Sequence, residues 1–289
     1  MTEIEQLVNE YRKLKLHEII DYDKFNQYAI VHHSSSIEGS TLTENETRLL
    51  LDEDLTPKGK PLEHSLMVKD HYKALVFALQ SAENKVPCTA EFIQGLNAFV
   101  MKSTGQVYNT ALGQVDATQG QYRKGNVSAG GHYFMNYDKV EKHTKLLSEK
   151  IQDTLKTTST MQAQLDLSFN AHFDLVTIHP FYDGNGRTSR LVMNYIQKYF
   201  GLPLAIVYKE DKSDYFTALD ETRKKEDLTV FRKFMFGEYK KFLQQQIKQF
   251  KQDLGTTLLP KKRTGKRKGF SLFKQLDMRL LLPDFTLLF

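Results

Sequence analysis

The residues able to do chemistry are concentrated in one stretch, His179-Pro-Phe-Tyr-Asp-Gly-Asn-Gly-Arg-Thr-Ser-Arg190. His179, with an ordinary pKa of about 6.5, is mostly neutral at neutral pH and can take a proton from an attacking hydroxyl. Asp183 offers a hard oxygen to magnesium, which uses one or two carboxylates and completes its shell with phosphate oxygens and water. Gly184 and Gly186 let the backbone bend so that several N–H groups point at one spot, and at a helix N-terminus the dipole favours an anion there. Arg187 and Arg190 share a helix face and reach the same bound group. Two cations in a first turn oppose the dipole by about 0.3 to 1 kcal/mol each, and such a broken local rule points to function. The chemistry implied is the handling of a nucleotide phosphate.

The elements that must position this stretch are legible around it. Apolar periodicity from Leu165 to Ile178 runs into His179, and a second apolar segment, Leu191 to Phe200, leaves Arg190, so the stretch joins two helices. Far upstream, Ser34-Ser-Ser-Ile-Glu38-Gly39 ends a helical segment that starts near Tyr22, with Gly39 as its stop. Glu38 then sits in a last turn, where the dipole prefers a cation. Its misplacement mirrors that of the arginines, and both are relieved if the Glu38 carboxylate pairs with Arg190. Thr43-Glu-Asn-Glu46 is a capping box opening a helix through Leu51, and helical periodicity returns over Leu62 to Leu79, Ala90 to Met101 and Leu228 to Leu254. Gln121 to Asn136, extended runs broken by glycines, reads as a hairpin, which an ordinary surface hairpin would match equally well. His172, on the face of the helix that leads to His179, reads as a packed histidine behind the site.

The pattern His-x-Phe-x-Asp-Gly-Asn-Gly-Arg-x-x-Arg, filled at every position from His179 to Arg190, resembles the signature of the Fic family. The resemblance implies a mainly α fold, a helical bundle with a short β-hairpin flap over the active site. It implies transfer of AMP from ATP to a Tyr, Ser or Thr hydroxyl of a target protein, with His179 as base and Asp183 as the Mg2+ ligand. Asn185, Gly184 and Gly186 would cradle phosphate, Arg187 and Arg190 would hold the outer phosphates, and Thr188 and Ser189 fall within the same nucleotide-binding turn. Phe181 would anchor the loop in the core. Ser34, Glu38 and Gly39 are similar to the family's inhibitory helix, whose glutamate occupies the second arginine. Ala129, Gly130, Gly131 and His132 would lie in the flap, which holds a target segment by strand addition. Tyr215 and Phe216 would flank the adenine, and Arg223 stands where relatives commonly carry an asparagine.

Composition sets limits around this reading. A chain of 289 residues without an internal low-complexity linker fits a single core with satellites: an N-terminal helical region over 1–60, a core over 61–255 and a tail over 256–289. The single cysteine, Cys88, excludes an intramolecular disulfide and suits a reducing compartment. No signal-peptide pattern opens the chain and no run reaches the roughly 20 apolar residues of a membrane span, so the expected location is the cytoplasm. The net charge of +5 is concentrated toward the tail, where Lys261 to Lys268 is basic and Leu280 to Phe289 apolar. A solvated linker followed by a docking segment accounts for the tail better than nucleic-acid binding does, and a homodimer stays open. Two rival functions remain at the same residues: a phosphodiesterase that strips AMP from a modified protein, with Glu38 activating water, and a non-catalytic nucleotide sensor.

Overall fold

A computed structural model of the chain describes residues 2–16 and 20–258. The basic run and the apolar end of the tail lie outside the described residues. The chain divides into a unit through Gln244 and a second unit from Gln245, whose described part is the end of the last helix.

Among the described residues ten helices carry the fold: α1 (Glu3–Lys13), α2 (Ile20–Ile37), α3 (Glu44–Glu53), α4 (Leu62–Glu83), α5 (Ala90–Val100), α6 (Tyr137–Thr157), α7 (Met161–Ile178), α8 (Asn185–Tyr199), α9 (Lys212–Lys225) and α10 (Leu228–Leu258). Between α5 and α6 run two antiparallel hairpins, β1 (Val107–Thr110) with β2 (Gly113–Asp116) and β3 (Ser128–Ala129) with β4 (His132–Tyr133). The mainly α fold and the flap hairpin match the sequence expectation, and α1, α6 and the hairpin β1–β2 extend it.

Local chemistry sets the boundaries. At α3 the Thr43 hydroxyl accepts from Glu46 N–H at 3.2 Å and the Glu46 carboxylate accepts from Thr43 N–H at 2.8 Å, so two orphan donors are satisfied reciprocally. The turn between β3 and β4 is Gly130-Gly131, with φ of 58° and 78°. Positive φ at both central residues is what a two-residue hairpin turn of matching twist requires.

The core is built around α8, which packs against α7, α4 and α5. An amphipathic helix buries one face, yet α8 buries every residue from Arg187 to Gln197. Several of its polar members are bonded there. Asn194 Nδ2 donates to Ala205 O at 3.0 Å, Ala205 N–H donates to Gln197 Oε1 at 2.7 Å, and Gln197 Nε2 donates to Ser168 Oγ at 3.2 Å. The helix begins at Asn185, ahead of the apolar run at Leu191, because its first turns are polar and buried together. α2 packs on α4 and touches α8, which carries its C-terminal end to the start of α8.

Candidate active site

The site forms where α7 stops and α8 starts. His179 takes a left-handed backbone, φ 52°, its N–H reaches Leu175 O at 3.0 Å, and Pro180 follows, so α7 cannot continue. Asn185 then ties the loop to itself: its Oδ1 accepts from Phe181 N–H at 3.0 Å and its Nδ2 donates to Phe181 O at 2.9 Å. Phe181 is buried and stacks on Tyr122, seating the loop in the core. Gly184, φ 78°, starts α8 where a Cβ would lie 2.7 Å from Asn97 Nδ2 and 2.9 Å from Met101 Sδ. Glycine is required there both for conformation and for space.

His179 is held as a neutral imidazole. Its Nδ1 lies 3.3 Å from Val176 O, and because a carbonyl only accepts, that contact puts the proton on Nδ1 and the lone pair on Nε2. Burial lowers the pKa of His179 to about 4; the Val176 carbonyl opposes this, Arg123 and Arg223 add to it, and Glu38 opposes it. The ring of Phe134 stacks on the imidazole, centroids 3.7 Å apart and planes 16° off parallel.

One arginine that the sequence reading passed over clasps the flap to this loop. Arg123, 1 % exposed, donates from Nε to His179 O at 2.8 Å, from Nη1 to Gly125 O at 2.8 Å and from Nη2 to Met135 O, and its backbone N–H reaches Pro180 O at 3.0 Å. Both ends of the flap are thus bound to the residues beside the base. Nothing in the local sequence marks Arg123 as buried. Phe134 was inside the expected hairpin, but its stacking partner is 45 positions away, from 134 to 179.

The arginines of α8 lie beside the Glu38 carboxylate. Arg190 Nε donates to Ser34 Oγ at 2.8 Å, and its Nη2 donates to Ser34 O at 3.1 Å and to Glu38 Oε1 at 2.6 Å. Gly39, φ 106°, follows and ends the α2 segment. The carboxylate of Glu38 lies against Gly186, close enough that a Cβ there would collide with it. Burial pushes the Glu38 carboxyl up, but Arg190 and Arg187 outweigh it and hold the group below the usual range. Nη1 of Arg190 has no protein partner and would be 3.2 Å from a Cβ on Gly186. Arg187 is bonded loosely, to Val100 O at 3.5 Å, to Met101 Sδ at 3.4 Å and to Asp183 Oδ1 at 3.6 Å, and its Nε has no partner. Buried guanidiniums with donors to spare beside a helix N-terminus suit an anion. Asp183 stands at the rim, its side chain 54 % accessible. Among the described residues no cluster of three or more His, Cys, Asp or Glu side chains could hold a metal, so a cation here would have one protein carboxylate.

Four residues expected at the nucleotide have intramolecular partners in this structure. The side chain of Asn185 is committed at both ends to Phe181, so only its backbone faces the cradle. Thr188 and Ser189 are fully buried; Thr188 Oγ1 accepts from Asn97 at 3.2 Å and Ser189 Oγ donates to Gly186 O at 2.9 Å. They fasten α8. Tyr215, 1 % exposed, sits in the core with its hydroxyl 2.9 Å from His172 Nε2 and its ring beside Phe231 and Phe234. A tyrosine hydroxyl can be satisfied by a buried histidine, and that pairing turns the ring inward. Phe216 remains open, 46 % exposed. Ala129 is exposed at the flap tip, and His132 lies edge-on to Phe134 at 5.0 Å. Arg223 pairs with Asp220 at 2.9 Å and lies over Phe134, 5.8 Å from its centroid.

With this geometry in place, comparison with known proteins is informative. A model of the Fic/DOC family matches residues 87–197. Proteins named protein adenylyltransferase Fic from Drosophila willistoni and Drosophila melanogaster are each 30 % identical to this chain, over 188 and 189 residues, 64 % of this chain and 35 % of theirs. The chain therefore spans about a third of the length of these curated relatives. A Fic domain containing signaling protein from Bacteroides thetaiotaomicron has a similar structure, with a TM-score of 0.74 and 24 % identity over 87 % of this chain and 97 % of that one. Fic-1 from C. elegans superimposes with a TM-score of 0.70 at 22 % identity, covering 86 % of this chain and 72 % of that one. The segment that matches the Fic/DOC family model, residues 87–197, contains the flap, the clasp of Arg123 and the turn from His179 to Arg190, and the fold is the one these solved structures share.

Proposed function

We propose that the chain is a protein adenylyltransferase held in a resting state by its own Glu38. The observation that carries this reading is the seat of the Glu38 carboxylate, on Arg190 and against Gly186 at the N-terminus of α8. An anionic side chain holds the place that suits the outer phosphates of ATP. The names of the relatives support AMP as the group transferred.

With Glu38 displaced, the triphosphate lies along the start of α8, its outer phosphates on Arg187 and Arg190. Asp183, an accessible hard oxygen beside that cradle, fits Mg2+ with phosphate and water as its other ligands. The ion would supply neutralisation of phosphate charge. A target segment is held by the flap, and its Tyr, Ser or Thr hydroxyl gives its proton to Nε2 of His179 while the oxygen attacks the α-phosphorus. The new O–P bond forms as the bond from the α-phosphorus to its bridging oxygen breaks, and pyrophosphate leaves with the electron pair. The amides at the start of α8 face the charge that develops, preorganised by the Asn185 staple.

A second reaction at the same residues is favoured by one observation: the Glu38 side chain keeps 28 % of its surface accessible beside the cradle, so it can polarise a water and return AMP from a modified protein. No helix among the described residues is long and apolar enough to cross a membrane, and Cys88 is a buried thiol pushed up to about 12 by burial. A reducing compartment, the cytoplasm, is the proposed location. The test is incubation of a native lysate with ATP labelled at the α-phosphate and either wild type, Glu38→Gly or Glu38→Gly with His179→Ala. Labelled protein only with the single variant supports the reading. ATP binding without labelling would make the chain a nucleotide sensor, and AMP release from a labelled target by wild type would favour the reverse reaction.

A further inference from the structure

The stack on His179 has a structure of its own. Phe134 follows β4 at the return of the flap, and its N–H is held by Val127 O at 3.2 Å across the hairpin. Its ring lies almost parallel to the imidazole of His179 at a centroid distance of 3.7 Å. The guanidinium of Arg223 lies over the same aromatic ring at 5.8 Å and over Phe173 at 5.9 Å, and Nε of Arg223 is buried without a protein partner. His132 meets Phe134 edge-on, planes 84° apart. The flap, the base and α9 therefore meet in one stack.

We propose that Phe134 is a positioning residue for His179: with Arg223 over its ring, it fixes the plane of the imidazole and closes that face to water. This deepens the adenylyltransferase reading and rests on it only for the reaction that His179 serves. A histidine held by one 3.3 Å contact to Val176 O can still rotate about its last side-chain bond. A flat ring stacked on its face removes that freedom and leaves the nitrogens at the edge, one toward Val176 and the other toward a substrate. A general base must present its lone pair within hydrogen-bond reach of the proton it takes, so fixing the plane acts on the chemical step more than on binding.

The stack also sets the electrostatic surroundings of the base. Burial is the largest influence keeping His179 neutral, and Phe134 supplies a covering ring on one face. The charged groups that face His179 from its neighbours are Arg123 from the flap stem and Arg223 from α9, which disfavour the imidazolium, and Glu38 beyond α2, which favours it. Asp220 pairs with Arg223 and moderates it, and His132 is itself kept neutral by burial and Arg223.

The experiment is an NMR titration of the full chain with isotopically labelled histidine, the His179 resonance being assigned by its loss in His179→Gln. Phe134→Ala should raise the His179 midpoint from about 4 by about one pH unit or more, toward the ordinary 6.5. Arg223→Gln, which leaves the ring in place, should raise it by less. Phe134→Leu keeps the site apolar without a flat ring, so its midpoint should stay near that of wild type while kcat for AMP transfer in the Glu38→Gly background falls about tenfold with KM unchanged. A midpoint in Phe134→Ala within about 0.3 unit of wild type overturns the proposal, as does a Phe134→Leu variant with undiminished kcat. Should Phe134→Ala fail to fold, the smaller rise with Arg223→Gln and the kcat of Phe134→Leu decide the matter. The titration requires no transfer activity, so a chain that shows the shift but transfers no AMP refutes the enzymatic reading alone.

Discussion

Oε1 of Glu38 lies 2.6 Å from Nη2 of Arg190, joining residues 152 positions apart at the N-terminus of the central helix. Glu38 is an acid after the C-terminal end of α2, where the dipole prefers a cation, and Arg190 lies in the second turn of α8, one turn deeper than the sequence placed it. Together they satisfy each other, and Ser34 takes two more donors of the guanidinium. A charge pair of this kind constrains more than it stabilises, because removing one partner leaves the other buried. That makes it suited to a switch in which a phosphate replaces the carboxylate.

Glu38→Gly should therefore free Arg190 and raise the rate of self-labelling from α-labelled ATP by about tenfold or more, equivalent to about 1.4 kcal/mol on the barrier. The rate of label incorporation into purified protein checks this. An unchanged rate would remove Glu38 from any inhibitory role.

The pH dependence follows from His179. A base whose pKa is lowered to about 4 stays deprotonated through the slightly acidic range, so the acid limb of kcat/KM in the Glu38→Gly variant should fall well below pH 6.5. For stability the sign runs the same way. The unfolded chain binds a proton near 6.5 and the folded one near 4, so this contribution is complete above 6.5 and is lost as pH falls toward 4. Urea unfolding at a series of pH values should show that loss, and His179→Gln should remove its share while the share of other buried histidines such as His32 and His33, also lowered to about 4 by burial, remains.

Gly186→Ala probes the cradle without touching a charge. Gly186 is helical, and alanine would favour the helix by about 1 kcal/mol. A Cβ there nevertheless collides with the Glu38 carboxylate and comes 3.2 Å from Arg190 Nη1. The variant should weaken ATP binding by about tenfold even when combined with Glu38→Gly. Calorimetric titration of the double variant with ATP and magnesium measures it, and wild-type affinity would show that phosphate does not approach Gly186.

Arg123→Met keeps bulk in the core but leaves the carbonyls of Gly125, Met135 and His179 without their donor. At roughly 1 to 3 kcal/mol for a buried group left unpaired, a loss of about 3 kcal/mol or more is expected. Hydrogen exchange should accelerate in the flap first. Lysine, with a point charge in place of a planar fork, should rescue little of it. Full stability in Arg123→Lys would mean that one carbonyl matters and the clasp does not.

What the sequence determined is local. The turn from His179 to Arg190 and the stop at Gly39 could be read because glycine, proline and a capping acid act on the few residues beside them, and the 3.6-residue period places Arg187 and Arg190 on one face. The pairing of Glu38 with Arg190 was open to inference from an acid at a helix C-terminus and arginines expected at a helix N-terminus. α6 was not among the expected helices, although its buried series Val140, Thr144, Leu147, Ile151 and Leu155 keeps helical spacing. Tertiary structure alone decided how each polar side chain is used. Asn185 turns back to Phe181, Tyr215 turns inward to His172, and Arg123 disappears beneath the flap. Neighbouring residues do not signal these choices, because burying a polar group requires partners, and apart from Phe181 and Gly125 these arrive from farther along the chain.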